Sequence, residues 1–238
     1  TTQSARRGWL PLSVGSGYPA VRWWDKWDLS VFDTMYRYKR VKEIIDGDEY
    51  YLLEKYSDRI VSRPKTSLTL EGDGETNLCL VFHKTEHPYI YKIEMKGKGT
   101  FMESVYGTLR WQAESDSENQ LWRLVLQEDG YYRIENAGDG VCLSVSGNST
   151  IVGTALFLTE KSTTIHQHFG VYYDSEEHAD YVEADMFSKA YRTENREKIR
   201  EQEASAGIET TRWAWKSMGK SVFDLGGRKS ATPLQQPG

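Results

Sequence analysis

The stretch ENQLWRLVLQEDGYYRIENAGDGVCLSV, residues 118–145, reads as a strand, a two-residue turn and a second strand built around Trp122. Apolar and polar residues alternate on both arms, the period of a half-buried strand, and Asp129-Gly130 supplies the positive φ that a tight hairpin turn needs. If this unit recurs, the repeat decides the fold.

It does recur. YRYKRV at 36–41, YIYKIEM at 89–95, QLWRLVL at 120–126 and QHFGVYY at 167–173 share an alternating aromatic pattern, and aligning them puts Tyr38, Tyr91, Trp122 and Phe169 in register. A turn-forming run follows each of the first three, namely DGDEYYLLEK, KGKGTFMES and EDGYYRIEN, with Glu54, Glu103 and Glu135 at matching places. Strand-like runs, TNLCLVF, GTLRWQA and GTALFLT, precede the later aromatic strands. Dividing the interval from Tyr38 to Phe169 by three gives the length of a lobe of four short strands, so three lobes are expected. The middle one is the shortest, as if trimmed of a hairpin. Four aromatic strands for three places leave open whether 36–41 or 168–173 closes the sheet.

A chain of 238 residues with 38% hydrophobic and 27% charged residues is long enough for a substantial core but polar for its size. A net charge of -5 and a pI near 5.6 exclude a nucleic-acid backbone as partner, because counterion release needs a dense Lys/Arg surface. No run approaches the roughly 20 apolar residues of a membrane span, and the first thirty residues lack the form of a signal peptide. Cys79 and Cys142 sit in apolar alternating runs, which fits free buried thiols better than one disulfide. That favours a soluble protein of a reducing, cytoplasmic compartment over a secreted one.

Outside the expected core of residues 35–173 lie an N-terminal arm, 1–34, and a C-terminal stretch, 174–238. The arm is too rich in Pro and Gly for helix and carries Trp9, Trp23, Trp24 and Trp27, which are costly to leave in water. Residues 175–206 read as a helix opening at Ser175, with Val182, Met186, Ala190 and Tyr191 as its apolar stripe and Gly207 as its stop. Trp213 and Trp215 follow, then a tail unable to build a core. Six of the eight tryptophans thus fall in the extensions. Either these wrap back on the core or they dock a partner subunit or a second copy, where Trp carries much of the binding energy.

The segment from Asn119-Gln120-Leu121-Trp122 through EDGYYRIENAGDGVCLSV and GNSTIVGTALFL to HQHF resembles the ricin B-type β-trefoil lectins and the related fungal agglutinins. The shared pattern is Gln-x-Trp, then Tyr-x-Ile-x-Asn, then Gly-x-Cys-Leu-Asp-Val, then Asn-Gly-Thr before an apolar strand. The resemblance implies an all-β, three-lobed trefoil and a non-catalytic, galactose-type carbohydrate-binding function. It also makes Gln120 and Trp122 structural, the indole plugging the core and the amide satisfying backbone groups. Gln167 with Phe169 is the variant in another lobe, and at Tyr89 and Tyr91 the Gln is lost.

A sugar site of this kind needs an acid or amide for hydroxyls and an aromatic face for the ring. Where the family carries its Asp, this chain has Ser144, which lacks a two-oxygen acceptor. Asp139, which also reads as a plain turn residue, would substitute, with Asn148, His166 and Gln167 completing a shallow pocket. The first lobe offers Asp58 and Arg59 with His83 and His87, and the middle lobe is too short for a site.

Neither the His83/His87 nor the His166/His168 spacing comes with a Cys or carboxylate set suited to a metal, so surface-loop histidines are the expectation. No nucleophile elbow, phosphate loop or zinc-protease motif occurs, and the carboxylate runs lack apolar surroundings. No catalytic residue, metal or cofactor is expected. The alternative to a lectin is an assembly protein that uses the trefoil as a rigid body and docks partners through Trp23, Trp24, Trp27, Trp213 and Trp215.

Overall fold

The computed structural model describes residues 12–13, 20–21, 37–63, 65–71, 77–184 and 188–219, with side chains from 37 to 207. It divides into two compact units, Thr1–Ile199 and Arg200–Gly238. In the first unit a short antiparallel pair, β1 (Leu12–Ser13) and β2 (Ala20–Val21), precedes the main sheet. Then come β3 (Tyr38–Arg40), β4 (Glu49–Glu54), β5 (Ile60–Ser62), β6 (Thr69–Glu71), β7 (Leu80–Lys84) and β8 (Ile90–Met95). They are followed by β9 (Thr100–Val105), β10 (Thr108–Gln112), β11 (Leu121–Leu126), β12 (Tyr132–Asn136), β13 (Cys142–Val145), β14 (Thr154–Thr159) and β15 (His168–Asp174).

Six of these strands close on themselves. Strand β4 pairs with β7, β7 with β8, β8 with β11, β11 with β12, β12 with β15, and β15 returns to β4, every pair antiparallel. Closure removes the free edges that an open sheet would expose. Hairpins β5–β6, β9–β10 and β13–β14 fill the remaining places. The result is a β-trefoil of three four-strand lobes, Glu49–Lys84, Ile90–Leu126 and Tyr132–Asp174.

The register fixes which residues are equivalent. Trp122 pairs with Tyr91 in its own lobe and Asn136 in the next; Phe169 pairs with Tyr132 and Glu54; Leu80 pairs with Tyr50 and Met95. Leu80, Trp122 and Phe169 are therefore the three plugs, all essentially unexposed in one shared core. Tyr91 lies in that core too, but on the strand facing Trp122. The alignment of Tyr91 with Trp122 matched two paired strands of one lobe, which is why the middle lobe looked trimmed. It has all four strands, and Leu78-x-Leu80 stands in for Gln-x-Trp in the first lobe. The indole N–H of Trp122 donates to the carbonyl of Met102 at 2.7 Å.

Two further expectations shift, those for the turn and the helix, and the choice between 36–41 and 168–173 is settled. The turn after Leu126 spans residues 127–131 rather than two, with Gly130 at φ 78 and its N–H bonded to the Gln127 carbonyl at 2.8 Å. Strand 36–41 survives as β3, an addition paired with Tyr172–Asp174, so 168–173 is the segment that closes the barrel. The helix begins at Lys189, not Ser175, because 182–184 runs alongside 40–42: the Lys42 N–H bonds the Val182 carbonyl and the Ala184 N–H the Arg40 carbonyl. Ser188 Oγ accepts the Tyr191 N–H at 3.0 Å, a helix N-cap. Helix α1, Lys189–Gly219, passes Gly207 without stopping. Val182 is exposed while Tyr191 is buried, so they share no apolar stripe; Met186 lies outside the described residues.

At the closing seam charge meets charge. His168 Nδ1 and Lys55 Nζ converge on Asp129 Oδ2 at 2.7 and 2.6 Å, and the Tyr131 N–H reaches Asp129 Oδ1 at 2.9 Å. Beside them the buried Arg40 guanidinium lies 3.9 Å from the centre of the Tyr131 ring. Burial alone would raise the Asp129 carboxyl, but the hydrogen bonds from His168 and Lys55 outweigh it and hold it well below the usual carboxylate range.

Trp122→Ala should cost about 3–5 kcal/mol in urea unfolding, since it opens a cavity in the shared core and strands the Met102 carbonyl. A loss within experimental error would show that the plug is not structural. Because the Asp129 carboxyl is depressed on folding, its stabilisation is complete above about pH 4 and fades as pH falls further. Asp129→Asn should therefore be less stable than the parent at pH 7 and lose less stability between about pH 5 and 2. Parallel stability curves for the two proteins would contradict this.

Candidate carbohydrate site

Each cap hairpin presents one residue at the same point. Leu53 with Ile60, Glu94 with Phe101 and Glu135 with Cys142 are equivalent pairs, so two residues further on Ser62, Glu103 and Ser144 coincide. Across the hairpins they face Thr69, Arg110 and Phe157. Glu54 matches Asn136 instead, so the three glutamates aligned from sequence occupy different places.

In the third lobe, β13 packs against the 3₁₀ turn Ile165–Gln167, bringing Ser144, His166 and Gln167 to one region. Ser144 is buried. Gln167 is fully buried, and both ends of its amide are committed: Oε1 accepts the Ser162 N–H and Nε2 donates to the Glu160 carbonyl, each at 2.9 Å. Gln120 repeats this with the Ser115 N–H at 2.9 Å and the Ala113 carbonyl at 2.8 Å. Gln167 is thus tied into the fold as Gln120 is.

Asp139 and Asn148 fall beyond opposite ends of β13. Asp139 Oδ2 takes the Ser104 hydroxyl and Oδ1 the Val141 N–H, which makes it a turn residue tied to the second lobe. Asn148 holds a left-handed φ of 53 in the exposed turn between β13 and β14. Of the five residues expected to share a pocket, Ser144, His166 and Gln167 are thus the ones on elements that pack together.

The middle lobe holds what the third lacks. Glu103, half-buried on β9, occupies the place of Ser144, and Gln120 Nε2 donates to its Oε2 at 3.0 Å. Gln120 is itself pinned by Ala113 and Ser115, so the carboxylate is held in orientation. Its other oxygen has no hydrogen-bond partner among the described residues. Arg110 and Gln112, both exposed, project from β10 to the same face. Asn119 precedes Gln120 in the turn before β11, and its Oδ1 fills the space where a side chain on Gly138 would sit, 2.3 Å from the ideal Cβ. An oriented carboxylate, a guanidinium and two amides are a donor and acceptor set suited to adjacent hydroxyls. Aligning all lobes from their Leu-x-Leu or Gln-x-Trp places back to the hairpins would have found Glu103.

Three of the loop histidines are buried, against expectation. His166 Nδ1 lies 3.4 Å from the fully buried Glu54 Oε1 under the Tyr56 ring, His168 meets Asp129, and His87 lies 3.4 Å from Glu86. His83 Nε2 reaches Glu94 at 2.8 Å. Glu49, Glu177 and His178 form a group with donor atoms within 4.8 Å, but the Lys96 ammonium already pairs with Glu49. Cys79 and Cys142 are both free. Trp23, Trp24 and Trp27 lie outside the described residues, as do the side chains of Trp213 and Trp215 on α1. No helix among the described residues is long and apolar enough to cross a membrane.

The family model described as ricin-type beta-trefoil lectin domain-like matches residues 80–159. Among solved structures the chain is similar to a GH43 β-1,3-galactosidase, at 49% identity and a TM-score of 0.75, covering 80% of this chain and 40% of that one. It is also similar to the Macrolepiota procera ricin B-like lectin in complex with lactose, at 15% identity and a TM-score of 0.45, covering 54% of this chain and 97% of that one. A designed threefold-symmetric protein, ThreeFoil, gives 19% identity and a TM-score of 0.47, covering 52% of this chain and 98% of that one. No curated protein sequence matches. The chain spans less than half the length of the galactosidase. The matched residues 80–159 run from the last strand of the first lobe to the third strand of the third, so over this part of the trefoil the chain is similar to a ricin-type β-trefoil lectin-like domain.

Proposed function

We propose that the chain is a carbohydrate-binding module for galactose-type sugars, that its site is Glu103 in the middle lobe, and that it binds without catalysing a reaction. The oriented Glu103 carboxylate carries this reading: it stands where the lectin family's acid belongs, while the other two lobes have Ser62 and Ser144 there. A carboxylate oxygen held by Gln120 has lost its rotational freedom before the sugar arrives, so less is lost on binding. The likeness to a β-1,3-galactosidase makes β-1,3-linked galactose the first ligand to try. Docking of a protein partner through the tryptophan-rich extensions is compatible with this and rests on their composition.

The same likeness favours a second reading, in which the chain is part of a hydrolase and shares in the reaction. Incubation with β-1,3-galactobiose separates them: a binding module releases no galactose, whereas release in proportion to protein would establish the second.

Calorimetry with galactose and β-1,3-galactobiose tests the site itself. Glu103→Gln removes a charged acceptor and should weaken both sugars about 10- to 100-fold, while Ser144→Ala changes them less than about twofold. Unchanged binding by Glu103→Gln would overturn the assignment.

A further inference from the structure

Next to Glu103, hairpin β9–β10 ends in a residue the fold does not explain. Val105 pairs with Thr108, so Tyr106-Gly107 is a two-residue turn, and both residues have positive φ, 52 and 71. That is the type I′ turn, whose first position suits Asn, Asp or Gly and strains an aromatic residue. The strained ring recovers nothing by packing: Tyr106 is 102% exposed and has no partner among the described residues. The sequence therefore carries at this tip a side chain that costs stability and buries no surface. Strain of this kind collects where a ligand is met.

What lies beside it indicates which ligand. Three residues separate Tyr106 from Glu103, about 10 Å of strand, which is longer than one sugar ring. Arg110, the cross-strand partner of Glu103, stands level with it on the same hairpin, and β10 is the terminal strand of the sheet path. We infer that Tyr106 is an aromatic platform for a second sugar residue, so that the middle lobe binds a linear galactose oligosaccharide along β9–β10 rather than a single terminal sugar. This rests on the site at Glu103 proposed above. The phenol ring would cover the apolar face of the neighbouring sugar, and Arg110 would serve hydroxyls of the ring held at Glu103.

The strain gives the test its control, because the residue that suits the turn best also removes the platform. Parent, Tyr106→Asn, Tyr106→Phe and Glu103→Gln are compared by thermal melting and by calorimetry with galactose and a β-1,3-linked galactotriose. The parent should prefer the trisaccharide. Tyr106→Asn should melt no lower than the parent, keep its galactose affinity within about twofold and bind the trisaccharide about three- to tenfold more weakly, while Tyr106→Phe retains it. Equal trisaccharide affinity in parent and Tyr106→Asn would overturn the platform, and if Glu103→Gln still weakens both sugars, the site at Glu103 stands without it. If instead Glu103→Gln binds both sugars as the parent does and Tyr106→Asn alone weakens the trisaccharide, the platform stands and the site at Glu103 fails. No binding of either sugar by the parent overturns both.

Discussion

Closure of the six-strand barrel is the constraint on which the rest of the structure depends. Strand β15 must find β4 across about half the chain's length, and until it does the sheet has two open edges and the plugs Leu80, Trp122 and Phe169 lack a common core. Such long-range pairing is entropically expensive before its contacts form. The seam is accordingly reinforced: Lys55 and His168 share Asp129, and Arg40 lies over Tyr131. Charge also crosses from the first lobe to the second, Lys96 to Glu49 and His83 to Glu94, while between the second and third the Asn136 amide donates to the Asn119 carbonyl at 2.7 Å.

The three lobes share a frame but have diverged in what they present. Two keep the buried glutamine that ties the turn before their last strand, and the first replaces it with Leu78. Only the middle lobe converts that glutamine to a further use, orienting Glu103. A structural amide thus becomes the support of the carboxylate at the proposed site, which is held by residues the fold requires anyway.

Much of this was legible in the sequence, for identifiable reasons. Period-two alternation around Trp122 gave the strands, and Gln-x-Trp with its following hairpin gave the trefoil. The phase of the repeat was not legible from aromatic residues alone, because Tyr50, Tyr91 and Tyr132 recur as regularly as the plugs and pair with them on the adjacent strands. Taking Tyr91 for a plug shortened the middle lobe on paper and hid Glu103. The surroundings of the expected pocket were hidden for a related reason. Gln167 and Ser144 are near the right place, but burial and backbone bonds decide whether a polar group can reach a ligand, and strand pattern does not encode those. The helix start was missed because pairing of 182–184 with 40–42 overrides local propensity.

Gln120 and Gln167 are buried, hydrogen-bonded alike and equivalent by symmetry, yet among the described residues Gln120 alone of the two has a carboxylate partner, that of the proposed site. Their side-chain amide resonances are therefore paired reporters. In an NMR titration with galactose, the Gln120 amide signals should shift together with those of Asn119 and Gln112 while the Gln167 amide stays in place. Movement of Gln167 with Gln120 unmoved would put the sugar in the third lobe and contradict the assignment of Glu103.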